Sequence, residues 1–203
     1  MPRTQLIEKT VYRFNELSDS AKETARDWYR TGGLDYDWWD AVCDDFDRVA
    51  EILGISVSEK YFSGFWSQGD GACFFGSYRY AKGAARAIRD YAPQDKALHD
   101  IADALAEVQK RNFYSLTASI SRHYGAGNHC HENTMAVSVD RDGDNYQDPT
   151  SDAEDIVEEA MRDLARWHYR QLESEYEYLN SDESVDEAIN ANEYEFTEDG
   201  DTA

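Results

Sequence analysis

The chain has 203 residues, with 42 Asp and Glu against 20 Lys and Arg and a formal net charge of −22. A polyanion of that strength repels nucleic acid and anionic lipid, so direct binding to either is excluded and a basic protein partner is favoured. With 41% hydrophobic residues, 5 Trp, 14 Tyr and 8 Phe, the chain can bury a core, which excludes general disorder.

Taken in order, residues 8–14 alternate polar and apolar positions and predict a strand. Ser18 is placed to cap a helix over residues 18–30, with Asp19 and Glu23 in its first turns and Gly32-Gly33 as its stop. A second helix is predicted over residues 35–53, where Trp39, Val42, Phe46, Val49 and Leu53 recur at spacings of 3, 4, 3 and 4. Gly54 closes it. Residues 55–62 alternate again, and Gly69-Asp70-Gly71 suggests a tight connection between extended segments.

Residues 83–91 predict a short helix that stops before Pro93, and residues 95–110 a firmer one with Leu98, Ile101, Leu105 and Val108 on one stripe. Residues 113–124 and 134–139 predict two strands joined as a hairpin through residues 125–128. Beyond an acidic loop, Ser151 could cap a long helix over residues 152–179, striped by Ile156, Ala160, Leu164, Trp167 and Leu172. Residues 185–189 predict a helical turn at best, residues 193–196 an edge strand, and the last seven residues a mobile tail. The expected class is α+β, an antiparallel sheet of about four to five strands with helices packed on it. The expected organisation is a core over residues 1–149 with an acidic helix and tail over residues 150–203 packed on it as one domain.

No run of about 18 apolar residues occurs, and the first ten residues lack a signal-peptide pattern, so a soluble cytoplasmic protein is expected. Cys43, Cys73 and Cys130 are an odd number without framework spacing, which argues against a secreted disulfide scaffold.

The charge is unevenly spread. Residues 1–139 hold 20 acids and 16 bases, whereas residues 140–203 hold 22 acids and 4 bases. Lysine is scarce and Asp exceeds Glu, as in proteins adapted to high salt, but such adaptation should coat the whole surface. The near balance of the first two thirds favours a directed acidic face. Carboxylates three or four residues apart on a helix give about one per 5–6 Å of face. Duplex DNA presents one phosphate per about 1.7 Å of axis, counting both strands, so several acidic elements side by side approach that density. The candidate partner-binding residues are Asp37, Asp40, Asp44, Asp45, Asp47 and Glu51 in the second helix. Beyond it they are Asp140, Asp142, Asp144, Asp148, Asp152, Glu154, Asp155, Glu158 and Glu159. The plainer reading of such residues is a solvated face that maintains solubility.

His123, His129 and His131 lie within nine residues, beside Cys130 and Glu132. On a strand, His129 and His131 would share one face and could bring two imidazoles to a zinc ion, with His123 or Cys73 as a third ligand. No second cysteine stands at ligand spacing, so a hydrogen-bonded cluster without a cofactor is the expectation. The run Asp140-x-Asp142-x-Asp144 fails as a calcium loop, because Gly143 misses the sixth position and Ser151 occupies the twelfth. Ser67, Gln68 and Asp70 form a polar knot without a nucleophile elbow, and turn chemistry accounts for Asp70. Trp38, Trp39 and Trp66 are expected in the core.

Two segments carry a resemblance. Gly64-Phe65-Trp66-Ser67-Gln68-Gly69-Asp70-Gly71-Ala72-Cys73-Phe74 resembles the GFxSQGDGAxF segment of a family of small phage- and prophage-carried proteins. His129-Cys130-His131-Glu132-Asn133-Thr134-Met135 is similar to a HExxM-like segment downstream in them. The opening Tyr12–Ser18 stretch and the helix after it also fit, so the likeness covers residues 8–140. Some of these proteins are loosely labelled antitoxin components, and the resemblance implies a mobile-element setting without supplying a reaction.

The leading expectation is a phage-encoded inhibitor of a host defence nucleoprotein, of anti-CRISPR or anti-restriction type. It would act without catalysis as an acidic nucleic-acid mimic in the host cytoplasm. The alternatives are a metal-binding protein or hydrolase built on His123, His129 and His131, and an antitoxin that neutralises a basic toxin.

Overall fold

The computed structural model describes residues 8–125, 127, 129–142 and 148–203. Among these, the periodicities of the sequence resolve into six α-helices and two antiparallel sheets, an α+β fold. In chain order the elements are β1 (Tyr12–Arg13), α1 (Asp19–Gly32), α2 (Asp40–Leu53), β2 (Ile55–Ser63), β3 (Gly71–Arg79), α3 (Ala84–Tyr91) and α4 (Lys96–Arg111). There follow β4 (Leu116–Arg122), β5 (Met135–Arg141), α5 (Ala153–Leu179), α6 (Asp182–Ala191) and β6 (Glu195–Phe196). The chain forms two compact units, Met1–Trp38 with Ser174–Ala203, and Trp39–Glu173.

The larger unit is built on a four-stranded sheet in the order β2-β3-β4-β5, antiparallel throughout. The hairpin predicted after residue 113 is β4–β5, in register at Ser119↔Ser138, and the Gly69-Asp70-Gly71 connection joins β2 to β3. Central β3 is apolar and buried from Gly71 to Phe75. Phe46 and Leu53 from α2, Leu98 and Leu105 from α4, and Met161 and Leu164 from α5 pack into the same core as Phe74 and Leu116. Each such side chain contributes about 1.5–3 kcal/mol on burial.

No loop separates α2 from β2. Gly54, at φ 85°, turns the chain, and a Cβ there would stand 2.1 Å from the Arg79 carbonyl oxygen. Only glycine fits both the backbone and the space. The helix predicted from residue 35 begins at Asp40 instead; residues 35–39 are turn and irregular chain, which leaves Asp37 outside it.

In the smaller unit β1 pairs with β6, and Phe14, Leu17, Ala25, Val185, Ile189 and Phe196 form a separate apolar cluster. Ser18 caps α1 as expected, its Oγ accepting from the Ala21 N–H at 3.3 Å. Three expectations are corrected here. The strand over residues 8–14 shortens to β1, because Phe14–Glu16 winds into a 3₁₀ turn. The helical turn over residues 185–189 is a ten-residue helix, since Ser181 caps it and Val185 and Ile189, four apart, are both buried. The tail is not loose: Thr197 N–H donates to Asp201 O at 2.7 Å and Ala203 N–H to Glu195 O at 3.0 Å.

Candidate functional site

Asp40, Asp44, Asp47 and Glu51 step along α2 by four, three and four residues, which puts them on one helix face. That face borders β2, an edge strand whose outer side has no neighbouring strand among the described residues. Between them runs a groove of about 520 Å³, with Asp44, Asp47, Arg48 and Glu51 on the helix side and Ile55 and Val57 on the strand side. Asp44 also lines a tighter cavity of about 230 Å³, together with Trp39, Asp40, Cys43, Lys60, Phe62 and His168. Asp44 lines both, so the groove and the cavity adjoin, with Trp39 and Phe62 at the cavity.

Its carboxylates differ in company. Lys60 Nζ lies 2.5 Å from Asp47 Oδ2, and Arg48 lies 2.5 Å from Glu51. The Tyr91 hydroxyl donates to Asp45. Asp40 and Asp44 are exposed, and among the described residues no base comes within ion-pair distance of either.

His168 is the residue that the sequence reading missed. It sits on α5 midway between Leu164 and Leu172, at a spacing of four from each, and that stripe carries it inward. It is 2% exposed, and its ring packs on Phe46 with centroids 4.2 Å apart. Burial pushes the imidazole down to about 4 and Lys60 adds to this, against an opposing pull from Asp47, so the ring is neutral at pH 7. Among the described residues, His168 Nδ1 and Asp47 Oδ1 are buried and have no hydrogen-bond partner. Burial raises the Cys43 thiol, which keeps it protonated and unsuited to nucleophilic attack.

The other nominated acids do not join this face as one set. Asp37 lies in the smaller unit. Asp142 pairs with Arg79 at 3.4 Å, Asp152 with Arg111 at 2.6 Å, Glu158 with Arg162 at 2.5 Å and Glu159 with Arg166 at 2.5 Å. The hydrogen bond from Arg111 holds the Asp152 carboxyl below its usual range. Glu154 and Asp155 occupy the first turn of α5, Asp140 stands opposite Thr117 in the sheet, and Asp148 precedes Pro149. Among the described residues these last four have no base within ion-pair distance. Asp144 lies outside the described residues.

The two segments that carry the family resemblance meet in space. A Cβ on Gly71 would fall 2.5 Å from His131 Cβ, so the chain at residues 130–131 lies directly against the start of β3. Asp70 Oδ2 accepts from the Ser67 N–H at 2.6 Å, which is the turn chemistry expected of it. Tyr169 donates to Gly64 O at 2.9 Å and stacks on Phe65. Arg122 Nη1 donates to the carbonyls of Gly127 and His129, at 3.2 and 3.1 Å. Glu132 lies 3.7 Å from Arg166. Trp66, expected in the core, is 74% exposed and holds φ 105°, because the turn projects it outward.

The rings of His129 and His131 are 6.2 Å apart between centroids, and His131 Nδ1 accepts from the Asn133 N–H at 3.2 Å. His123 continues β4, its N–H donating to Thr134 O at 2.7 Å. Among the described residues no three His, Cys, Asp or Glu side chains are grouped so as to hold a metal ion. The arrangement is that of a clasp tying the β4–β5 connection to the β2–β3 turn.

No helix among the described residues is long and apolar enough to cross a membrane. No curated protein and no solved structure matches the chain. A family model described as a domain of unknown function, DUF8835, matches residues 38–182, and the chain belongs to that family.

Proposed function

We propose that this is a non-catalytic binding protein whose acidic α2 face, with the adjoining β2 edge, occupies a basic nucleic-acid-binding groove on a protein partner. The observation that carries the reading is the alignment of Asp40, Asp44, Asp47 and Glu51 beside an open strand edge, with Asp40 and Asp44 uncompensated by any base among the described residues. Steps of three and four residues place carboxylates about 4.5–6 Å apart along the helix, against about 3.4 Å per phosphate on one DNA strand. One helix therefore supplies roughly half the charge density of a strand, and the net charge of −22 supplies long-range attraction. The partner we favour is a defence nucleoprotein of CRISPR or restriction type, consistent with the mobile-element setting that the motif resemblance implies. Asp47 and Glu51 would exchange their internal bases for the partner's, a small cost because exposed pairs contribute only about 0–1 kcal/mol.

The test is capture by the immobilised chain from a host lysate at low salt, compared with a variant carrying Asp40→Lys, Asp44→Lys, Asp47→Lys and Glu51→Lys. The expected result is a nucleic-acid-binding complex that duplex DNA or RNA displaces, that high salt releases, and that the variant fails to hold while its circular dichroism is unchanged. Capture that is indifferent to the four reversals, or to competing nucleic acid, would end this reading.

A further inference from the structure

In the smaller unit a different cavity forms where α1 ends. Trp28, Tyr29, Thr31, Gly32, Gly33 and Tyr194 line a space of about 240 Å³. Its three rings meet at steep angles. Trp28 and Tyr194 stand at 82° with centroids 5.1 Å apart, Trp28 and Tyr29 at 65° and 6.3 Å, and Tyr29 and Tyr194 at 60° and 6.3 Å. The walls are braced from within the fold. Trp28 also packs edge to face on the buried ring of Phe196, at 5.9 Å. Tyr29 lies so close over Gly33 that a Cβ there would stand 2.4 Å from its ring. Trp28 and Tyr194 are 38% and 37% exposed, so both keep aromatic surface open to solvent.

No charged side chain lines this cavity, yet its field is negative. It sits at the C-terminal end of α1, where the last helix carbonyls carry a partial negative charge that favours a cation. Residues 174–203, in the same unit, hold 11 acids and no base. Arg30, the base of the last turn of α1, is engaged by Asp182 at 2.5 Å and by the Asn180 carbonyl at 3.1 Å.

We infer that this cavity is an aromatic cage for a trimethylammonium group. With centroids 5.1 to 6.3 Å from one another, one cation can lie within about 6 Å of all three rings, the range over which an aromatic quadrupole attracts it. A lysine ammonium or a guanidinium would give up hydrogen bonds to water here, and no carboxylate lines the cavity to replace them. Trimethylammonium has no N–H to desolvate, and its methyl groups pack on the rings. An anion would meet the same negative field with no base in the lining. The volume falls below the roughly 300–1,000 Å³ of sites that bury a drug-sized molecule, so the cage takes a headgroup and leaves the rest of its carrier outside. The inference does not depend on the acidic-groove reading above.

The experiment titrates the full-length chain with choline and, separately, with neohexyl alcohol, its isostere with carbon in place of the charged nitrogen. Heteronuclear NMR follows the Trp28 indole N–H, assigned through Trp28→Phe. The expected result is a saturable shift by choline, with the neutral isostere binding about tenfold more weakly. Tyr194→Leu keeps apolar bulk but removes one ring, and should weaken choline binding while circular dichroism is unchanged. The isostere comparison uses the parent chain, so it decides the question even if that variant fails to fold. A parallel titration with trimethyl-lysine amide identifies the carrier: binding tighter than choline assigns the headgroup to a modified protein side chain, and weaker binding assigns it to a free small molecule. Equal binding of choline and its isostere, no saturable response to either trimethylammonium compound, or choline binding untouched in a folded Tyr194→Leu chain overturns the cage.

Discussion

Helices α6 and α2 both carry rows of carboxylates, yet the two rows are used differently. On α6, Asp186 receives both Nε and Nη2 of Arg26, at 2.6 and 2.7 Å, and Asp182 receives Arg30 at 2.5 Å. The Asp186 hydrogen bond raises the Arg26 guanidinium still further above its ordinary range. These acids bind α6 to α1 within the smaller unit. On α2, Asp40 and Asp44 meet no such base among the described residues and face solvent beside the groove. Formal charge is therefore a poor guide to charge on offer. The densest acidic stretch, residues 140–203 with 22 acids, spends part of its charge internally, while the nearly balanced first part keeps an uncompensated face.

The largest expected effect lies in the cavity that shares Asp44 with the α2 groove. The folded-state value of His168 is about 4, below the ordinary value of about 6.5, so the unfolded chain takes up this proton first as pH falls. Its contribution to stability is complete above about pH 6.5 and is lost progressively down to about pH 4, roughly 3 kcal/mol in all. Burial of the ring sets this window first, Lys60 deepens it and Asp47 opposes it. Urea unfolding across that range should show the loss in the parent, and His168→Phe should flatten it; an unchanged slope in the variant would place the titration elsewhere.

A smaller effect tests the other side of the comparison. Asp186→Ala leaves the Arg26 side chain, 15% exposed, without its bidentate partner. The expected loss is about 2 kcal/mol, between the values for exposed and buried pairs, read as a lower urea midpoint with unchanged slope. The smallest effect is the most diagnostic. Asp44→Asn should change stability by less than about 0.5 kcal/mol, with any change toward greater stability as like charges on α2 are relieved. If Asp44→Asn costs as much as Asp186→Ala, the carboxylate is structural and the two rows do not differ.

Much of the fold was legible because local periodicity carries it. The Trp39, Phe46, Val49 and Leu53 stripe with Gly54 after it predicted the body and end of α2, and the alternation over residues 55–62 predicted β2. The start of α2 was not legible, since Asp35, Asp37 and the two tryptophans suit a turn and a helix equally well. Nor was the length of α6, where Val185 and Ile189 suffice once a complementary apolar cluster exists to bury them. In the candidate site, Asp40, Asp44, Asp47 and Glu51 were readable as an acidic helical face. His168 was readable only as a break in an otherwise apolar stripe.

The sequence by itself determined the α+β class, the position of most elements and the presence of an acidic face on the second helix, because those follow from spacing along one chain. Only the tertiary structure decided which carboxylates meet a base, because Arg26 and Asp186 stand 160 residues apart. It also decided that His168 on α5 reaches the same cavity as Trp39 and Asp44, which no pattern within a single element encodes. Ion pairing and the burial of a polar ring depend on distances across the fold, and those are set by how the elements pack.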